Sequence, residues 1–224
     1  MRSAGKLSIT DADIDTLERM SRVESGGSVA CVQTYDNAYL SFGFMQYTVL
    51  HGSLQKLIAR VPGAFARYGI VVQGAYSFGK ARQAGIFGAP VPSDLRKTEW
   101  VERFMRAGFD DDINVAQAIM ALEEVAAQMK RLKAIMKEKW SDTLGTSKIR
   151  ALVTEAYNNR PGGMWGNKKM GVTGAARSVE RAFVVGSGAG SFQRLLVEEI
   201  HRAYSQYKSE ELVKGQRLTE KILK

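Results

Sequence analysis

Apolar and polar positions along this chain follow a helical period almost throughout. Ile14, Leu17, Met20 and Val23 recur at three-residue spacing, and Glu24 falls four residues after Met20, beside the same stripe. Thr10 with Asp13 predicts the amino-terminal cap of this first helix, and Ile9 and Ile14 stand at the positions of a hydrophobic staple. Gly26-Gly27 predicts its end. Leu54, Leu57 and Ile58 predict a second helix from Ser53, stopped at Val61-Pro62-Gly63.

Regularity weakens over 69–92, where glycines mix with Tyr76, Phe78 and Phe87. The segment reads as a loop or short irregular helices, lining a groove with aromatic faces or simply covering the core. Trp100, Val101, Phe104 and Met105 predict a short helix, and Asp110-Asp111-Asp112 suits the start of the next. That helix is the longest, over 113–140, with Ile119, Leu122, Val125, Ala126, Met129, Leu132 and Met136 on its apolar face. It would run about 40 Å, and its methionines serve as core filler. Ile149, Leu152, Val153 and Ala156 predict a helix over 147–157, which Arg160-Pro161-Gly162-Gly163 cannot continue. Two further helices are expected over 172–185 and 191–207, then a polar, basic helical tail over 208–224, free to move. No strand pattern emerges, so the expected fold is mainly α. Without a clear linker or repeat, the chain is expected to form a single domain over 1–224.

Composition changes this picture little. The chain has 224 residues, 45% hydrophobic and 25% charged, as in ordinary globular proteins. No apolar run approaches the ~20 residues of a membrane span. The polar amino terminus after Met1-Arg2 lacks the apolar core of a secretory signal, and the single Cys31 fits synthesis in a reducing cytoplasm. The net charge of +9 favours anionic polymers, nucleic acid or bacterial wall. Most of the basic residues, such as Lys130, Arg131, Lys133, Lys137 and Lys139, read as a solvated helix face, with no aromatic interleaving of the kind that stacks bases. Nucleic acid is therefore not expected as a partner. His51 and His201 lie far apart in the chain, so neither a metal site nor a cofactor is expected.

Glu24 is the residue on which chemistry turns. A carboxyl beside an apolar stripe and at the negative end of a helix dipole is in a setting that favours a proton held for donation, as glycoside cleavage requires. Equally, it reads as a solvated glutamate at a fraying helix end.

Three segments together carry a likeness to a known family: Glu24-Ser25-Gly26-Gly27, Phe42-Gly43-Phe44-Met45-Gln46 and Glu155-Ala156-Tyr157-Asn158-Asn159. Their order and separations resemble the signature blocks of goose-type lysozymes and soluble lytic transglycosylases, in the lysozyme-like superfamily, over about a quarter of the chain. The resemblance implies a lysozyme-like helical domain around a long central helix, with a peptidoglycan cleft. It puts Glu24 in the general-acid place. Gln46 takes the cleft-lining place and Tyr157 the place near the acid, with Ser41, Thr48 and Asn158 as further substrate contacts.

Asp36 stands close to where goose-type lysozymes carry an Asp between the first two blocks, and it decides the reaction type. Inverting hydrolysis needs a second carboxylate to activate water, whereas lytic transglycosylases close the muramyl product on itself. Two residues after Gln46, where goose-type lysozymes have another Asp, this chain has Thr48, which can hold a water but cannot take its proton. Family 46 chitosanases resemble that arrangement distantly, but a cationic polymer calls for an acidic cleft. As a plain alternative, Tyr35-Asp36-Asn37 is good turn chemistry.

The expected function is a muramidase, a glycoside hydrolase that cuts the bond between N-acetylmuramic acid and N-acetylglucosamine with Glu24 as acid and Asp36 as base. Its rivals are a lytic transglycosylase using Glu24 alone and a non-catalytic basic module binding wall or nucleic acid. Without a signal segment, the expected setting is a phage endolysin or a bacteriolytic secretion-system effector, made in the cytoplasm and acting in the periplasm or cell wall after delivery. An effector would have an immunity protein as partner.

Overall fold

A computed structural model describes residues 9–35, 37–71, 92–136, 140, 142–159, 193–194, 196–198, 200–201 and 209–224. It is mainly helical, as the periodicity predicts. The elements are α1 (Asp11–Glu24), β1 (Val32–Gln33), β2 (Ser41–Phe42), β3 (Tyr47–Thr48), α2 (Ser53–Arg60), α3 (Pro62–Ala66), α4 (Thr98–Ala107), α5 (Asp111–Met136), α6 (Ser147–Asn159) and α7 (Ser209–Leu223). Short three-ten turns cover Pro92–Arg96 and Asp142–Leu144. The predicted helix over 172–185 and most of the stretch 69–92 lie outside the described residues, whereas 193–194, 196–198 and 200–201 are helical.

The chain divides into two compact units, one formed by Met1–Met20 with Leu122–Lys224 and the other by Ser21–Ala121. The Ser21–Ala121 unit carries the strands and α2 to α4. Its sheet is antiparallel in the order β1-β2-β3, with Val32 opposite Phe42, Gln33 opposite Ser41, Ser41 opposite Thr48 and Phe42 opposite Tyr47. These strands escape the sequence pattern because each has two residues, too few for alternation to register.

Phe42, Phe65 and Phe104, all fully buried, are mutually packed with ring centroids 5.4 to 6.5 Å apart, joining sheet, α3 and α4. Burying each such ring stabilises the unit by about 2 to 3 kcal/mol. Leu54, Leu57, Ile58, Leu95, Trp100 and Ile113 extend that core. Val61-Pro62-Gly63 ends α2 as predicted, but Pro62 then opens α3, since proline at the first helical position gives up only an amide that lacks a helical partner anyway.

In the other unit α6 is buried nearly all round. Ile149, Ala151, Leu152, Val153, Thr154 and Glu155 are each 0% exposed. Thr10 caps α1 as predicted: its hydroxyl accepts from the Asp13 amide at 3.2 Å, and the Asp13 carboxylate accepts from the Thr10 amide at 3.0 Å. Ile9 and Ile14 are exposed, so the buried side of α1 runs instead through Thr16 and Met20. Asp13 pairs with Arg150 and Asp15 with Ser147, both on α6. The tail is α7, with Leu218, Thr219 and Ile222 buried, and Arg19 on α1 donates to the Ile222 carbonyl at 2.6 Å. The Thr219 hydroxyl donates to the Gln216 carbonyl, so the 2.8 Å contact between Thr219 Oγ1 and His201 Nε2 has the imidazole as donor. Burial pushes the His201 imidazole below its ordinary pKa.

Among the described residues no helix is long and apolar enough to cross a membrane.

Candidate functional site

Glu24 is the last residue of α1 and is half-buried. Helical geometry stops there because Gly26 and Gly27 take φ of +66° and +90°, a left-handed conformation that only glycine adopts cheaply. The Ser25 amide and the Gly27 amide both return to the Ser21 carbonyl, at 2.9 and 3.0 Å. Beyond this reversal Ala30 lies so close to Gly108 that a Cβ on Gly108 would overlap the Ala30 backbone. The Cys31 carbonyl then accepts the Gly43 amide at 2.8 Å. The loop that leaves Glu24 is thereby fastened to the turn that carries Gln46.

That turn, Gly43 to Gln46, is built on a residue that no sequence motif singled out. Gln117, fully buried on α5, accepts the Phe44 amide at 3.1 Å on its Oε1 and donates through Nε2 to Asn114 Oδ1 at 3.1 Å and the Val29 carbonyl at 3.4 Å. Its own carbonyl accepts the Tyr47 hydroxyl at 2.8 Å. A signal was present: Gln117 sits four residues from both Ile113 and Ala121, a polar side chain in buried helical register. Gln46 itself has φ of +50°, strained for a long side chain, and its Nε2 donates to the Gly43 carbonyl at 2.8 Å. Its Oε1 is buried with no hydrogen-bond partner among the described residues. Leaving such an acceptor unmet costs about 1 to 3 kcal/mol unless a ligand or water donates to it.

The cross-strand register places Ser41 beside Thr48, with Gln33 on the other side of Ser41. Ser41 is buried and Thr48 half-buried. The Thr48 amide donates to Ser53 Oγ at 2.8 Å, and the Thr48 hydroxyl lies 2.9 Å from His51 Nδ1. Asp36 lies outside the described residues. Tyr157 and Asn158 belong to the last turn of α6, in the other unit, where Asn158 is exposed.

Asp110 caps α5 by accepting the Asp112 and Ile113 amides on Oδ1, while its Oδ2 receives Arg67 at 2.6 Å and the Tyr68 hydroxyl at 3.0 Å. Burial alone would push this carboxyl up, but the hydrogen bonds from Arg67, Tyr68 and the Ile113 amide outweigh it and hold Asp110 below its ordinary value. The same carboxylate pushes the Tyr68 hydroxyl up.

A cavity of about 530 Å³ is lined by Arg60, Val61, Ala64, Asp112, Val115 and Ile119, and by none of the sequence candidates. Among the described residues there is no cluster of three or more His, Cys, Asp or Glu disposed to hold a metal ion. In comparisons with known proteins, no family model, no curated protein and no solved structure matches the chain.

Proposed function

We propose that the chain cleaves the glycan backbone of peptidoglycan, with Glu24 as the general acid that protonates the leaving oxygen. The observation that carries this reading is the fastening of the Glu24 loop, through the Cys31 carbonyl, to a Gly-Phe-Met-Gln turn whose last residue keeps a buried acceptor with no partner among the described residues. A half-buried carboxyl at a helix end supplies the acid of this reading, and the buried acceptor of Gln46, on the turn tied to the same loop, supplies its sugar contact. The likeness of the three sequence blocks to lysozyme-like enzymes points the same way, and with it comes the proposed lysozyme-like cleft. In this reading Asp36 activates water on the opposite face of the sugar, giving hydrolysis with inversion, and Ser41 and Gln46 contact the glycan; the roles of Tyr157 and Asn158 rest on the likeness of the sequence blocks alone.

One observation favours a second reading, transglycosylation by Glu24 alone. The Thr48 hydroxyl is engaged by His51, at 2.9 Å from Nδ1 and 3.3 Å from the His51 amide, which weakens its case as a holder of the attacking water.

Glu24→Gln is expected to abolish clearing of purified sacculi with the fold intact by circular dichroism; near-wild-type clearing would sink the proposal. Mass spectrometry of the glycan ends then separates the two readings. Reducing ends that disappear in Asp36→Asn mark the hydrolase, and anhydro-muramyl ends that persist in Asp36→Asn mark the transglycosylase.

A further inference from the structure

The sheet register sorts its side chains into two rows. Val32, Phe42 and Tyr47 form one, and Phe42 and Tyr47 belong to the core. Their neighbours Gln33, Ser41 and Thr48 point to the opposite face, because successive residues of a strand alternate. This second row is polar and ends in His51 through Thr48. At its other end Tyr35 continues it: its hydroxyl donates to Gln33 Oε1 at 2.7 Å, while its side chain stands in solvent, the residue 81% exposed.

An exposed aromatic ring already held at its hydroxyl loses little further freedom when a ligand stacks on it. Here the hydroxyl is tied down and the ring faces are left open, which makes a platform for the C–H face of a pyranose. Beside it the Gln33 amide has capacity to spare. Among the described residues its Oε1 accepts one hydrogen bond, from Tyr35, and its Nε2 makes only a 3.9 Å contact with Cys31 Sγ. One acceptor position and one N–H remain, matching the N–H and C=O of an acetamido group.

Resting on the proposed glycan-cleaving function, we infer that Tyr35 and Gln33 form a sugar subsite that recognises an N-acetylated hexosamine, the ring stacking on Tyr35 and the acetamido group pairing with Gln33. Gln33, Ser41 and Thr48 are uncharged side chains, and the Gln33 amide offers both a donor and an acceptor, which an acetamido group matches and the donor-only ammonium of a de-acetylated sugar does not. The backbone bond from Gly43 to the Cys31 carbonyl makes this strand continuous with the Gln46 turn.

The test is calorimetric titration of the full-length Glu24→Gln protein with a β-1,4 N-acetylglucosamine oligomer and with its de-acetylated counterpart. Adding Tyr35→Ala is expected to weaken binding of the acetylated oligomer about tenfold. Adding Gln33→Ala is expected to erode the preference for the acetylated over the de-acetylated oligomer. Because Tyr35 is exposed, its truncation leaves the fold intact, which circular dichroism verifies. Unchanged affinity in both double variants, or no measurable binding by the Glu24→Gln parent, overturns the subsite. Cleavage of sacculi by wild type but not Glu24→Gln leaves the proposed function standing in that event. Conversely, Tyr35-dependent binding in a protein whose wild type cleaves nothing sinks the function and keeps the subsite.

Discussion

Gly43 has φ of +80°, and a Cβ there would run into the side-chain amide of Gln117. Gly26, at +66°, has nothing within 4 Å of its would-be Cβ. The pair therefore separates two costs that glycine avoids. Gly26→Ala carries only the left-handed backbone penalty and is expected to destabilise by about 1 kcal/mol. Gly43→Ala adds displacement of Gln117, with loss of its bond to the Phe44 amide, and should cost about 3 kcal/mol. Chemical denaturation of both variants measures the difference. The cause can be isolated further with Gln117→Ala, which opens the space a Cβ needs: the double variant should be markedly less destabilised than the sum of the singles. Strict additivity would mean that Gly43 is required for its backbone conformation alone.

α5 starts at a residue whose charge and cap can be separated. Asp110 accepts two amides of the first turn and also receives Arg67 and Tyr68. Since its folded pKa lies below the unfolded value of about 3.9, its contribution to stability is complete above that pH and is lost as pH falls through the lower folded value. Asp110→Asn keeps a good capping side chain and removes the charge. The variant is expected to be less stable at neutral pH by several tenths to about 1 kcal/mol, because the Arg67 side chain is 53% exposed and solvent screens the pair. Below about pH 4 the difference should shrink; denaturation curves that stay equally separated from pH 7 to pH 3 would assign the lost stability to the cap. Elements of this kind were legible in the sequence. Thr10 with Asp13, Gly26-Gly27, and the spacing of Trp100 with Phe104 fix helices from neighbours three or four residues apart. The Gln46 turn and the Glu24 helix end were legible as short blocks for the same reason. By contrast, the strands, the Gln117 hub and the Gln33–Tyr35 pair beside Ser41 depend on partners brought together by folding, and no local period announces them. The tail is helical as its pattern predicts, and its buried side, Leu218, Thr219 and Ile222, is hard to see in the sequence because these residues are few among charged neighbours.

Over the whole molecule the excess of 32 Lys and Arg over 23 Asp and Glu leaves +9, and that charge acts at a longer range than any contact described above. If the substrate is the bacterial wall, whose stem peptides carry carboxylates, the field raises the local concentration of protein on the polymer without touching the chemistry at Glu24. The two effects respond differently to salt. At about 0.1 M the screening length is about 10 Å and at 1 M about 3 Å, so attraction between exposed charges fades over that interval while a buried hydrogen bond or a stacked ring does not. Co-sedimentation with purified sacculi is therefore expected to fall several-fold as sodium chloride rises from about 0.05 to about 0.5 M. Binding of an uncharged N-acetylglucosamine oligomer to the Glu24→Gln protein should change little over the same range. Equal salt sensitivity for both ligands would show that charge acts within the sugar site itself. Salt-independent sedimentation would remove the basic surface from any part in wall capture.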